Sequence, residues 1–227
     1  LTLPIPSEVR AVVFDAVGTL IHPEPPAAAV YAEAGRRFGS RLDAAAVAAR
    51  FAAAFRRQEL IDHAAGLRTD EARELARWRA IVAEVLDDVA DSEATFRHLY
   101  EHFARPSAWR TEPDAAATAS GLAARGYRVG IASNFDHRLL GVLAPGELRG
   151  LPVVVSAAVG WRKPAAAFFA AVCGTFALHA REVLYVGDDP ANDFEGARAA
   201  GLPAVLFDPR GRAPAGVPRV GRPGELL

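Results

Sequence analysis

Hydrophobic positions along this chain follow two rhythms, and the switches between them divide it into segments. Within the stretch 10–21, Arg10 precedes Ala11-Val12-Val13-Phe14, an unbroken apolar run of the kind that forms a strand buried on both faces and that ends on Asp15 and a glycine-containing turn. After a rigid proline-rich linker at 22–26 the period becomes helical. Helices are predicted over 27–38, stopping at Gly39; 43–63, capped by Asp43; 69 to about 89; and 92–103, with Pro106 closing the set. From Pro113 helix and strand alternate: helix 114–125 stopping at Gly126, strand 128–132, helix 137–143, strand 153–155, helix 164–176, strand 183–186, helix 191–200 stopping at Gly201, and strand 204–207. The Pro- and Gly-rich tail from Asp208 is expected to wrap irregularly, with Leu226 and Leu227 docking.

Repeated βα units predict an α/β protein with a doubly wound parallel sheet, and four successive helices without a strand predict a separate all-α module. The expected organisation is a Rossmann-like core from residues 1–22 and 106–227, with a helical cap, residues 23–105, inserted after the first strand and covering Asp15.

Three predicted strands end in polar residues: Asp15, Ser133-Asn134 and Asp188-Asp189. In open α/β sheets that edge is where ligands bind. Taken alone, Asp15 reads equally well as a turn-opening residue or a functional carboxylate. Residue usage sharpens the picture. Of 26 Lys and Arg residues only Lys163 is a lysine, and Asn134 and Asn192 are the only asparagines. Lysine supplies a compact point charge that a planar guanidinium does not mimic. It sits in Gly160-Trp161-Arg162-Lys163-Pro164, just ahead of a predicted helix. A carboxylate nucleophile, a hydroxyl, a fixed cation and further carboxylates able to share a divalent metal make a set suited to phosphoryl transfer.

With 227 residues, 51% hydrophobic and 23% charged, the chain has the size of one large or two small domains and enough apolar material for a sizeable core. A net charge of -1 with scattered arginines argues against a nucleic-acid partner. Cys173, the single cysteine, leaves no intrachain disulfide or thiolate zinc site and agrees with a reducing compartment. The stretch 1–10 lacks the features of a secretion signal and no run approaches membrane-spanning length, so cytoplasmic residence without a membrane partner is expected. No oligomeric state is specified.

Four motifs occur in order: Phe14-Asp15-Ala16-Val17-Gly18-Thr19-Leu20; Ile131-Ala132-Ser133-Asn134; Lys163-Pro164; and Gly187-Asp188-Asp189 followed by Asn192-Asp193. On these the chain resembles the haloacid dehalogenase superfamily over essentially its whole length, and Ser133-Asn134-Phe135-Asp136-His137 resembles the branch of haloacid dehalogenase-like hydrolase domain-containing proteins. The resemblance implies a phosphatase-type hydrolase acting on a small phosphorylated metabolite. Asp15 would attack phosphorus, Ser133, Asn134 and Lys163 would bind the phosphoryl group, and Mg²⁺ would be held by Asp15, Asp188 and the backbone carbonyl of Val17, supported by Asp193 or Asp189. A cation site between Asp15 and Asp188 is therefore expected.

One position departs from the pattern. Family phosphatases carry a second Asp two residues after the nucleophile, as general acid and base, and this chain has Val17 there. Losing such a group costs about 10²- to 10⁴-fold for a poor leaving group. The departure keeps two alternatives open: a 2-haloacid dehalogenase, whose halide leaves without a proton and which needs no metal, and a pseudoenzyme that binds a phosphorylated ligand without turnover. Elsewhere, His98, Glu101 and His102 match a helical zinc pattern, with a solvated or packing face as the plainer reading. His22 reads as a linker residue, Asp136 and His137 as a helix start, and Cys173 as core. Arg56, Arg57, Gln58, Trp78 and Trp109 are the cap and cap-edge residues considered for substrate contact or packing.

Overall fold

The computed structural model describes residues 3–227; the first two, which belong to the stretch expected to lack a signal and to open the core, lie outside the described residues. Strand β1, Ala11–Phe14, turns Val12 and Phe14 into one apolar cluster and Ala11 and Val13 into another, as strand alternation requires of a run covered on both faces. A short strand β2, Ile21–Pro23, leads into α1 (Ala27–Arg37), α2 (Ala44–Ala64), α3 (Glu71–Val85) and α4 (Ser92–His102). Strand β3, Trp109–Thr111, then returns antiparallel to β2, with His22 opposite Arg110. The expected linker at 22–26 is thus corrected at its first two residues. With Ile21 they form one strand of a two-stranded ribbon, a pairing between segments some 90 residues apart that local pattern does not display.

The chain continues through α5 (Ala115–Ala124), β4 (Arg128–Ser133), α6 (Arg138–Leu143), β5 (Val153–Val155), α7 (Ser156–Val159), α8 (Ala166–Phe176) and β6 (Val183–Gly187). A π-helical turn, Pro190–Glu195, runs into α9 (Gly196–Ala199), followed by β7 (Ala204–Phe207) and β8 (Arg219–Val220). The main sheet has the order β5-β4-β1-β6-β7-β8 and is parallel at every pair. After β1 the chain builds β4 and β5 on one side, then crosses to build β6, β7 and β8 on the other. The carboxyl ends of β1, β4 and β6 therefore flank the topological switch point.

The four helices α1 to α4 enclose an apolar cluster of their own that includes Tyr31, Val47, Ile81, Phe96 and Leu99. Three of them begin on an aspartate whose carboxylate accepts the backbone N–H three residues on: Asp43 from Ala46 at 2.7 Å, Asp70 from Arg73 at 2.7 Å and Asp91 from Ala94 at 2.8 Å. Helix α3 stops at Val85, short of the expected end near residue 89. Asp87 and Asp88 would place negative charge at the negative end of the helix dipole, and they instead pair with Arg50 and with the Arg41 N–H. The expected single helix over 191–200 begins as the π-turn, where the N–H groups of Asp193 and Phe194 both donate to the Asp189 carbonyl, at 2.9 and 3.2 Å. The tail adds the sixth strand, β8, and buries Leu226 in the sheet core while Leu227 packs at its edge.

Candidate active site

Each strand end at the switch point delivers one group. Asp15 follows β1, its N–H donating to the Val186 carbonyl at 2.8 Å, and Ser133 closes β4 with its Oγ donating to Asp15 Oδ1 at 2.9 Å. Lys163 enters from the loop before α8, and its Nζ donates to Asp15 Oδ1 at 2.6 Å and to Asp193 Oδ1 at 2.5 Å. Asp188 follows β6, with Thr19 Oγ1 donating to its Oδ1 at 3.4 Å. Asp15, Ser133, Lys163 and Asp193 are buried, whereas Asp188 is exposed and lines the cavity above.

Electrostatics at this floor are unbalanced. Asp15, Asp188 and Asp193 bring three carboxylates against the one ammonium of Lys163. Burial, followed by the neighbouring carboxylates of Asp15 and Asp193, pushes Asp188 up to about 7. Burial likewise pushes Asp193 up to about 6, against the pull of Lys163. Burial alone would lower Lys163, but Asp15 and Asp193 outweigh it and hold the ammonium well above its ordinary value. The donor set fits a hard divalent cation. Carboxylate oxygens from all three aspartates lie within 4.8 Å of one another, and such oxygens are the ligands that Mg²⁺ takes. Two glycines keep the space clear: a Cβ on Gly18, at φ +96°, would overlap the Asp188 carboxylate, and one on Gly187 would overlap that of Asp193.

Not every residue singled out in the sequence takes the expected post. Asn134, expected to bind phosphate, spends its side chain on the lysine loop: Oδ1 accepts from Lys163 N at 2.7 Å and Nδ2 donates to the Lys163 carbonyl at 3.2 Å. Its amide thus fixes the ammonium's anchor. Asp189 accepts from the N–H groups of Ala191 and Asn192, both at 2.9 Å, and so caps the π-turn that carries Asp193. Val17 lines the cavity beside Asp15. His22 pairs with Glu112 at 2.8 Å and is not part of the cavity wall. The helical zinc pattern does not assemble: His98 packs on Phe38 and His102 on Phe103, and neither joins a metal-sized cluster among the described residues. Asp136 is held by Arg138 at 2.7 Å and His137 by Glu71 at 2.7 Å, and Cys173 is buried in the core.

Other participants carried no signal in the sequence. Tyr185 lies under the ammonium, with Lys163 Nζ 5.5 Å from its ring centroid and its hydroxyl donating to the Ala132 carbonyl at 2.6 Å. Arg162, next to the lysine, pairs with Glu74 of α3 and reaches Asp62 of α2 at 3.4 Å, while Arg77 Nε donates to Asp62 Oδ2 at 3.0 Å. This buried ionic cluster ties two cap helices to the lysine loop. In a chain where arginine is the common base, nothing marked Arg77 beforehand, and position beside Lys163 was the only hint for Arg162. Above the floor lies a cavity of about 360 Å³, to which Trp78 and Trp109 contribute. Gln58 is buried against Arg73, and Arg56 and Arg57 are exposed on the outer face of α2.

The model of the haloacid dehalogenase-like hydrolases matches residues 9–201. Haloacid dehalogenase-like hydrolase domain-containing protein 3 of Bos taurus is 30% identical over 217 residues, covering 88% of this chain and 82% of that protein. Phosphoglycolate phosphatase of Rhodospirillum rubrum is 31% identical over 203 residues, covering 87% of this chain and 79% of its own. Among solved structures, a defluorinating L-2-haloacid dehalogenase superposes with a TM-score of 0.78 at 21% identity, covering 100% of this chain and 98% of its own, a likeness of fold.

Proposed function

The chain belongs to the haloacid dehalogenase-like hydrolases, and from that premise we propose that it is a Mg²⁺-dependent phosphatase-type hydrolase acting through an aspartyl-phosphate on a small phosphorylated substrate. The observation that carries this reading is the cluster of Asp15, Asp188 and Asp193, whose three carboxylates face one ammonium and leave two negative charges for a divalent cation. In this reading residues 1–22 and 106–227 form the catalytic core domain and residues 23–105 the cap domain.

Asp15 Oδ1 is occupied by Ser133 and Lys163, whereas Oδ2 has no hydrogen bond among the described residues. Oδ2 is the nucleophile. It bonds to phosphorus as the bond to the leaving oxygen breaks, and water then attacks the acyl-phosphate to release inorganic phosphate. Ser133 Oγ and Lys163 Nζ turn from Asp15 to the phosphoryl oxygens and donate to them. Asp15, Asp188, supporting Asp193 and the main-chain carbonyl of Val17 would hold the cation, which supplies the charge neutralisation that lets a carboxylate approach a phosphoryl dianion. The Val17 side chain has no proton to give the leaving oxygen, so esters of acidic alcohols and acyl phosphates are the faster substrates.

Val17 is also the observation that favours a second reading, dehalogenation, in which no proton is needed by the leaving halide. Turnover of acetyl phosphate and an aryl phosphate, with and without Mg²⁺, separates the two. Metal-dependent activity abolished by Asp15→Asn, and raised about 10²- to 10⁴-fold on an alkyl phosphate by Val17→Asp, is the expected result. Release of halide from 2-haloacids, with no phosphatase activity even in Val17→Asp, would overturn it.

A further inference from the structure

The proposed floor is ionic, but the chamber above it is built of rings. Trp78, Phe55, Phe51, Tyr31, Phe103 and Trp109 line the cavity and touch in sequence, with centroid separations of 6.3, 6.2, 4.8, 6.3 and 6.0 Å. Trp109 then meets Phe135 of the core at 6.0 Å, so one aromatic wall runs from the top of the cap to the edge of the sheet. Its volume of about 360 Å³ falls in the range of roughly 300–1,000 Å³ that accommodates drug-sized ligands. Two of the arginines bordering the rings are committed elsewhere, whereas the half-buried Glu59 also lines the cavity. Arg138 is paired with Asp136, and Arg162 with Glu74. Arg77, tied to Asp62, stacks on Phe55 with its guanidinium carbon 4.6 Å from the ring centroid, and its Nη2 has no hydrogen-bond partner.

Resting on the phosphatase reading of the floor, we infer that the substrate is the phosphate monoester of a bulky apolar alcohol, ring-bearing in the simplest case, and not a short polar or amine-bearing phosphate. A hydroxylated body would lose water against these rings with few partners to gain, and Arg77, fully buried where Glu59 is only half-buried, repels a cation while accommodating an acceptor oxygen. A ring placed among them gains burial and edge-to-face contacts. The phosphoryl group at Asp15 and the ring at the wall are thus two ends of one site, continuous through Val17 and Trp109.

Phosphonates test this without turnover. In Mg²⁺ buffer, the affinities of 3-phenylpropylphosphonate, propylphosphonate and 3-aminopropylphosphonate are measured by calorimetry, with tryptophan fluorescence reporting contact at Trp78 and Trp109. The expected order is phenylpropyl at least about tenfold tighter than propyl, and aminopropyl weaker than both, with the ring advantage reduced several-fold in Phe55→Ala. Equal affinities for phenylpropyl and propyl, or preference for the amine, would sink the apolar-substrate inference while leaving the phosphate site standing. Binding of none of the three would sink the phosphate-site reading and this inference with it.

Discussion

At the scale of single residues, the exceptional feature is a carboxylate held where its charge is unwelcome. Asp188 titrates at about 7 in the folded chain, pushed there by burial and by Asp15 and Asp193, against an ordinary value of roughly 4 in the unfolded chain. Between those values the folded state binds more protons than the unfolded one, so the contribution of Asp188 to metal-free stability falls as pH rises from about 4 to 7. Asp188→Asn should therefore raise the melting temperature of the metal-free protein at pH 7.5, with the gain shrinking toward pH 4.5. Mg²⁺ should raise the wild-type melting temperature more at pH 7.5 than at 5 and should act weakly on the variant. Scanning fluorimetry across pH, with and without the cation, checks both. A variant less stable than wild type at pH 7.5 would mean the carboxylate is already satisfied within the fold.

At the scale of elements, the site depends on how segments begin and end. Removing the Asp70 cap frees the N–H of Arg73 at the start of α3, the helix that carries Glu74, Arg77 and Trp78; Asp70→Ala should cost about 1 kcal/mol in urea denaturation. The last turn matters more than its irregular sequence suggests. Leu226, buried in the sheet core where the last turn packs on α5 and β8, should cost about 2–5 kcal/mol when replaced by alanine. Gly18→Ala adds a Cβ against Asp188 at a backbone φ of +96°, and should lower Mg²⁺ affinity measured by calorimetry even where the variant folds.

At the scale of the whole molecule, cap and core meet through charge. Arg162, one residue before the lysine, is neutralised by Glu74 and Asp62, so α2 and α3 are fastened to the loop that aims Lys163. Glu74→Ala would leave Arg162 buried and short of a partner, and breaking buried pairs in this way costs about 3–5 kcal/mol. Denaturant titration should show a loss of that size. If the cluster also positions the lysine, Glu74→Gln should lower kcat on acetyl phosphate while leaving its pH profile in place.

The sequence by itself determined what repeats locally or sits at a strand end. Apolar runs such as Ala11–Phe14, the Asp43 cap, and the polar residues closing β1, β4 and β6 are set by neighbours within a few positions, so the α/β class and the delivery of Asp15, Ser133 and Asp188 to one edge were legible. Lys163 stood out because the chain uses no other lysine. Only the tertiary structure decided the rest. The β2–β3 ribbon and β8 depend on partners distant in the chain, and short strands carry too little pattern to declare themselves. Asn134 became a clamp on the lysine loop, and Asp189 a cap, because a side chain's role follows from which donor lies within reach of it. The aromatic wall likewise gathers rings from α1, α2, α3 and the segments around α4 and β3, each of which looks like ordinary core on its own helix or strand; only packing turns them toward a shared space above Asp15.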